Sequence, residues 1–408
     1  MKVYGLDSSR VRQLVTGVSG PDELDDSGVL ERFARAAWSV IAEPGDGTAG
    51  ALVAVLGASD AFALVLARAS GNGSDADELP IDADQLSAGI ERWRTRLRST
   101  DVERALELAA RHDIRLLVPS GGRSANDPWP TGVDDLGEHA PLALWARGDP
   151  ALLAGGPSGV ALVGARAATG YGEHVAGELS AGLVDLGYPV VSGAAYGIDG
   201  MAHRAALAAG GLTVAFLAGG VDRFYPAGHD ELLRRIVDKG LVLSELPCGA
   251  APTKWRFLER NRLISASSAA TVVVEAGARS GSLNTAGHAS AIGRPLGAVP
   301  GPVTSPASAG CHRLLREYDA VCVTNAAEIA ELVDPERAGV RQPASRESPE
   351  ATRALDALST RKGRSVGDLA GRTGMAVGSV IAALGALELE GRAREAHDGW
   401  VAVPQRRG

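Results

Sequence analysis

From about residue 112 to 333 the chain alternates two kinds of segment, and that alternation leaves few folds open. Short apolar runs recur as "IRLLVP", "LALWARG", "GVALVG", "PVVSG", "LTVAFLAGG", "LVLSEL", "ATVVVEAG", "PLGAVPG" and "AVCVT". Between several of them lie roughly 10 to 16 residues of helical pattern. In "GEHVAGELSAGLVDLGY", for example, Val175, Leu179, Leu183 and Leu186 fall on one helical face. Runs that are apolar throughout are buried on both faces, as in a parallel sheet covered by helices. Repeated β–α alternation therefore predicts a doubly wound α/β domain over 111–333. Such sheets hold their ligands at the carboxyl ends of the strands.

The flanks read differently. Residues 1–110 are helical in pattern, with "SGVLERFARAAWSVIA" and "AGALVAVLGASDAFALVLARA" rich in Ala and Leu. "DADQLSAGIERWRTRL" and "DVERALELAARH" each begin with Asp in a position suited to an N-cap. Residues 334–350 hold three prolines among polar residues and read as a linker. Residues 351–405 follow the order helix, helix, a turn at Gly374–Met375, helix, short hairpin, which predicts a winged helix. Its third helix, "AVGSVIAALGALELEG", has no Arg, Lys, Asn or Gln to read base edges. That helix ends on Glu388 and Glu390, and most of its apolar side (Val377, Val380, Ile381, Leu384, Leu387) is needed for the domain's own core. The domain is expected to contact protein, or to touch DNA only through Arg392 and Arg394.

Three widely spaced cysteines, Cys248, Cys311 and Cys322, form neither a metal-type pair nor a disulfide framework, which fits a reducing compartment. The N-terminus lacks a signal-peptide core, and no run of about 18 apolar residues suggests a membrane span. A cytoplasmic protein without metal or cofactor is expected. The net charge of −8 argues against a broad nucleic-acid surface, though a local basic groove is compatible with it.

Three strand ends share a chemistry. After "GVALVG" comes "ARAATGYG", after "PVVSG" comes "AAYGID", and after "VVVEAG" comes "ARSGSLNTAG". Small residues let a backbone approach a ligand closely, and helix N-termini offer unpaired N–H groups suited to phosphate. A row of such loops fits a polyanion or a dinucleotide. Neither the dinucleotide-binding glycine fingerprint nor a P-loop is matched. The sharper signal is "KWRFLERNRLISASS". There Lys254, Arg256, Arg260 and Arg262 oppose only Glu259, with Trp255 and Phe257 among them. Cations interleaved with rings are what single-stranded nucleic acid needs.

The motifs "VGARAATGYG", "SGAAYGIDGMAH", "GGVDRFYP", "FLERNRLIS", "VVVEAGARSGSLNTA" and "VPGPVTSPASAGCHRLL" together resemble the DNA-processing protein A family, DprA or Smf. The resemblance covers about 112–333, and the flanking regions look like the family's SAM-like helical and winged-helix domains. It implies an extended Rossmann fold that binds and protects single-stranded DNA. It further implies loading of RecA recombinase in natural transformation, a homodimer, and no established catalysis. Carried over by residue, it implies DNA contacts at Gly164, Arg166, Ser192, Gly193, Lys254, Phe257, Arg260, Asn261, Arg262, Ser280, Gly281 and Ser282. Many members have Pro where this chain has Leu258.

Glu275 is expected to hold backbone N–H groups of neighbouring loops, or Arg279, rather than to do chemistry. Asp199 is expected to cap a helix, and His203 to be a packed, hydrogen-bonded histidine. One alternative is a nucleotide hydrolase resembling the phosphoribohydrolases, with Glu275 as acid or base. The helix "SLNTAGHASAIG" lacks the glutamate such enzymes carry. A Rossmann dehydrogenase would need a glycine fingerprint and a ribose-binding acid that are not there.

Overall fold

The computed structural model describes residues 2–20, 24–71, 80–119, 128–154, 159–335, 349–389 and 391–403. The chain divides into two compact units, Met1–Pro335 and Glu336–Gly408. Most of the expected 334–350 linker, and Glu390, lie outside the described residues.

The first unit opens with a minimal hairpin, β1 (Lys2–Val3) and β2 (Leu6–Asp7). Six helices follow: α1 (Ser8–Thr16), α2 (Asp26–Ile41), α3 (Gly47–Leu56), α4 (Ala58–Ala69), α5 (Ala83–Arg94) and α6 (Ser99–Arg111). Asp82 caps α5 as its sequence predicts, accepting from Gln85 N–H at 2.9 Å. Asp101 does not cap α6. That helix starts two residues earlier, at Ser99, and Asp101 sits in its first turn. The long Ala/Leu-rich stretch is broken into α3 and α4 at Gly57, whose φ of 80° no other residue adopts cheaply.

The helices do not close a core of their own. Val15, Phe33, Trp38, Leu52, Trp93 and Leu106 belong to one buried cluster with Trp145, Ala215, Ile236 and Val242 of the α/β region. Trp38 lies edge-on to Trp93 at 5.1 Å, and Trp145 Nε1–H reaches Ser39 Oγ at 3.2 Å. The first helices and the sheet are therefore packed as one body.

The sheet has nine strands: β3 (Arg115–Leu117), β4 (Leu144–Gly148), β5 (Gly159–Gly164), β6 (Val190–Ser192), β7 (Thr213–Phe216), β8 (Leu241–Ser244), β9 (Ser268–Glu275), β10 (Leu296–Ala298) and β11 (Val321–Cys322). Their order is β11-β10-β9-β5-β6-β7-β8-β4-β3. The seven strands from β11 to β8 pair in parallel, and β4 joins β8 antiparallel. The helices of this region are α7 (Gly170–Asp185), α8 (Ile198–Ala208), α9 (Asp230–Lys239), α10 (Lys254–Ala266), α11 (Ser282–Ala291), α12 (Ala309–Glu317) and α13 (Ala326–Val333).

Alternate strand residues face opposite layers, as the two-residue period requires. Val160, Leu162, Val190, Val272 and Val274 pack with α7, α8 and α13. Ala161, Val163, Val191 and Val273 pack with α10, α11 and α12. The strand order reverses between β5 and β9, the switch point at whose carboxyl ends such sheets hold their ligands. This is a mixed α/β architecture around a mostly parallel, doubly wound sheet.

The second unit has α14 (Pro349–Ala357), α15 (Val366–Thr373), α16 (Val377–Leu389) and a hairpin of β12 (Ala393–Ala396) with β13 (Gly399–Ala402). Ser365 caps α15, and Gly374 ends it in the left-handed region. Of the five apolar residues expected on one side of α16, Val380, Leu384 and Leu387 enter the core. Val377 and Ile381 stay more than half exposed. Among the described residues no single helix is long and apolar enough to cross a membrane.

Candidate nucleic-acid interface

The three glycine-rich loops after β5, β6 and β9 are neighbours, because these strands lie side by side with β5 in the middle. The expected row exists, but the chain itself fills much of the space the glycines open. Glu275, the last residue of β9, is buried. It accepts from Thr169 N–H at 2.8 Å and from Thr169 Oγ at 2.7 Å. Thr169 caps α7 and accepts from Gly172 N–H. A Cβ at Gly172 would lie 2.5 Å from Glu275 Oε2, so only glycine fits there. Glu275 braces β9 against the start of α7, which is the structural role expected of it. Its partner is Thr169 rather than Arg279.

The Arg-Asn-Arg motif departs from expectation. Arg260, Asn261 and Arg262 are all buried. From the middle of α10, Arg260 Nη1 donates to Gly193 O at 2.6 Å and also to Phe216 O. A Cβ at Gly193 would meet the Arg260 guanidinium at 2.4 Å, so this glycine makes room for an arginine of the protein itself. Asn261 Nδ2 donates to Asn284 Oδ1 at 3.1 Å, and Arg262 Nη2 donates to both Glu245 oxygens at 2.8 and 2.6 Å. The motif ties the carboxyl ends of β6, β7 and β8 to α10 and α11. Its three side chains are spent on contacts inside the protein.

Asp199 answers Arg260 electrostatically. It lies in the first turn of α8 and accepts from Gly193 N–H at 3.1 Å. The N-cap is Gly197, not Asp199 as expected. Burial pushes the Asp199 carboxyl up, opposed by Arg260 and by backbone N–H groups of Ala195, Gly193 and Gly164. Burial likewise draws the Arg260 guanidinium down to about 10, against the pull of Asp199.

His203 is packed and hydrogen-bonded as expected, its Nδ1 2.7 Å from Thr213 Oγ. Thr213 gives its only hydroxyl proton to Val190 O, so the histidine is the donor and carries its proton on Nδ1. Burial brings its pKa down to about 3, so the ring is neutral.

Of the other expected contacts, Ser192, Gly164 and Ser282 are turned inward. Ser192 Oγ donates to Leu162 O at 2.7 Å in full burial. A Cβ at Gly164 would strike Ile198 of α8. Ser282 is buried and its Oγ is 2.8 Å from Ser280 Oγ. Gly281 is exposed.

What reaches the surface is smaller and better defined. Arg166 is exposed, and its guanidinium lies over the Phe257 ring at 4.9 Å. Tyr225, half exposed, has its ring 5.7 Å from that of Phe257. A shallow pocket lies beside them, lined by Gly193, Gly219, Arg223, Tyr225, Pro252 and Phe257 among others. Lys254 and Trp255 stand exposed in the first turn of α10. Sequence reasoning missed Tyr225 and Arg223. Their signal was in "GGVDRFYP", where an arginine and two rings share one short loop between glycine and proline.

The acids around this ledge are occupied. Glu275 and Asp199 accept backbone N–H groups inside the protein, and Asp222 accepts from Gly249 N–H at 2.9 Å. The result is a ledge of cations and rings, which suits phosphates and stacked bases together.

Residues 123–334 match the family model described as DNA recombination-mediator protein A, and residues 338–399 match that of the DprA winged helix domain. The chain is 46% identical over 321 residues to a DNA processing protein DprA relative from Mycobacterium tuberculosis, covering 74% of this chain and 81% of that one. It is 41% identical over 192 residues to DNA processing protein DprA of Streptococcus pneumoniae, covering 47% of this chain and 65% of the relative. The crystal structure of DprA from Streptococcus pneumoniae superposes with a TM-score of 0.58 at 28% identity, over 72% of this chain and 95% of that one.

Proposed function

This chain belongs to the DNA recombination-mediator protein A family, and from that premise we propose that it binds single-stranded DNA along the carboxyl edge of its sheet. The observation that carries the reading is the cluster of exposed Arg166, half-exposed Tyr225 and partly buried Phe257, with exposed Lys254 alongside on α10. Arg166 and Lys254 offer charge to phosphates, and the rings offer flat faces to bases. Such contacts are indifferent to sequence, because every base has a π-face. Bases in a duplex are already stacked and do not present those faces, so single strands are preferred.

On this reading the protein covers incoming single strands and passes them to RecA recombinase during natural transformation, acting in the cytoplasm as a homodimer. Family membership supports these finer roles. The role is that of a binding protein rather than an enzyme. The hydrolase alternative needs Glu275 to exchange a proton with a ligand, and both of its oxygens are engaged by Thr169 in a buried site.

The test is affinity for single-stranded against blunt duplex oligonucleotides at two salt concentrations. Tighter single-strand binding that weakens steeply with salt is expected. Equal or tighter duplex binding refutes the reading. For the finer role, RecA filament nucleation on coated single strands should speed up when the protein is added.

A further inference from the structure

The loop from Pro247 to Thr253, leading into α10, is a ridge with a hollow on each side. On one side Pro252 and Phe257 line the pocket next to Tyr225. On the other, Pro247, Gly249 and Ala250 line a wider, open groove against α6, together with Arg104 and Arg256. The first turn of α10 thus sends Phe257 to one hollow and Arg256 to the other. Lys254 and Trp255 are exposed in that same turn, Trp255 at 59%.

The charges of the groove sort themselves. Arg256 is fixed in place: its Nε and Nη2 hold Glu43 at 3.0 and 2.9 Å, and its Nη1 donates to Ala251 O at 2.8 Å. Glu43 is also held by Arg96 at 2.6 Å, so two cations meet one carboxylate beside the groove. Burial alone would raise the Glu43 carboxyl, yet Arg256 and Arg96 hold it below its ordinary value. Arg104 is exposed on the groove wall, and Asp101, one turn before it on α6, is the acid that lines the groove. With Glu43 counted, Arg96, Arg104 and Arg256 stand against Glu43 and Asp101, a surplus of one positive charge.

We infer that this groove carries the continuation of the same single strand, with a base stacked on Trp255 as the strand crosses the ridge and a phosphate taken by Arg104. The inference rests on the single-strand reading of the Arg166 ledge. It extends the track onto the N-terminal helices. A strand leaving the Phe257 pocket needs only to pass the first turn of α10 to reach the second hollow, and that turn offers a cation and an open ring.

The test compares full-length protein with Arg104→Ala and Trp255→Ala on oligothymidylates of about 5 and about 20 nucleotides, lengths that bracket one and several binding subsites. Both positions are exposed, so the fold should tolerate the changes. One phosphate contact to a single strand contributes a slope of about −0.7 in log K against log salt. At about 0.1 M salt, Arg104→Ala should therefore weaken the long oligonucleotide about fivefold and flatten its salt slope by about 0.7. Trp255→Ala should weaken the long oligonucleotide by at least about fivefold, and both variants should bind the short one as the parent does. Unchanged long-oligonucleotide binding, or an equal loss on both lengths, overturns the groove. If the unaltered protein binds neither oligonucleotide, the single-strand reading itself has failed, and that outcome is distinct.

Discussion

Replacing Arg260 by alanine separates the two roles open to the buried motif. In the folded protein Arg260 is 5% exposed, donates to the carbonyls of Gly193 and Phe216, and faces the equally buried Asp199. Removing it leaves Asp199 as a buried carboxylate without its cation and strips two strand-end carbonyls of their donor. Leaving a buried charge without its countercharge costs about 3–5 kcal/mol. For a unit running from Met1 to Pro335 that corresponds to a melting temperature lower by roughly 4–7 °C. The assay is thermal unfolding followed by circular dichroism, with single-strand binding measured well below the transition. A second variant guards the logic. Arg260→Met combined with Asp199→Leu removes both charges and should be less destabilised than Arg260→Ala alone. If Arg260→Ala melts within about one degree of the parent while losing most of its DNA affinity, Arg260 touches ligand and the structural assignment is wrong.

Arg166→Ala and Lys254→Ala should each weaken single-strand binding by about 1–3 kcal/mol with little change in melting temperature, since both side chains are exposed. Because Arg166 rests on Phe257, the double variant Arg166→Ala/Phe257→Ala should lose less than the sum of the two single losses, by about 0.5–2 kcal/mol; strict additivity in titrations would show that the pair acts independently. His203 has a folded-state pKa near 3 against an ordinary 6.5, so the unfolded chain binds more protons between these values. Its stabilising effect is whole above pH 6.5 and falls as pH drops, by about 2 kcal/mol between pH 6.5 and 5; urea titrations of His203→Leu should show that part of the pH slope missing. Deleting the chain after about residue 345 should leave most single-strand affinity in place, because the predicted contacts all lie in the first unit and α16 carries no base-reading side chain. A loss above about tenfold in fluorescence anisotropy would show that the winged helix holds DNA directly.

The sheet could be read from the sequence because its signal is redundant. Nine apolar runs each announce a strand, all but the edge strand β11 largely buried, and a misjudged boundary in one leaves the others standing. The site was less legible, because charge and glycine each have two uses that look alike in one dimension. Arg260 and Arg166 are both arginines beside small residues at strand ends. Only the helical phase of α10 turns Arg260 into the sheet edge, toward Gly193 and Asp199, while Arg166 leaves its strand outward. The same holds for glycine. Gly172 and Gly193 read as room for a phosphate, whereas each makes room for a side chain of the protein, Glu275 in one case and Arg260 in the other. Tyr225 escaped notice for the opposite reason. It lies far in sequence from α10, and nothing in its own loop says which ring it will stand beside. The aromatic ledge depends on β6, β7 and β8 bringing three loops to one edge, with α10 supplying Phe257 across them. Arg260 draws the ends of β6 and β7 onto α10, the helix that carries Phe257 to its place beside Tyr225.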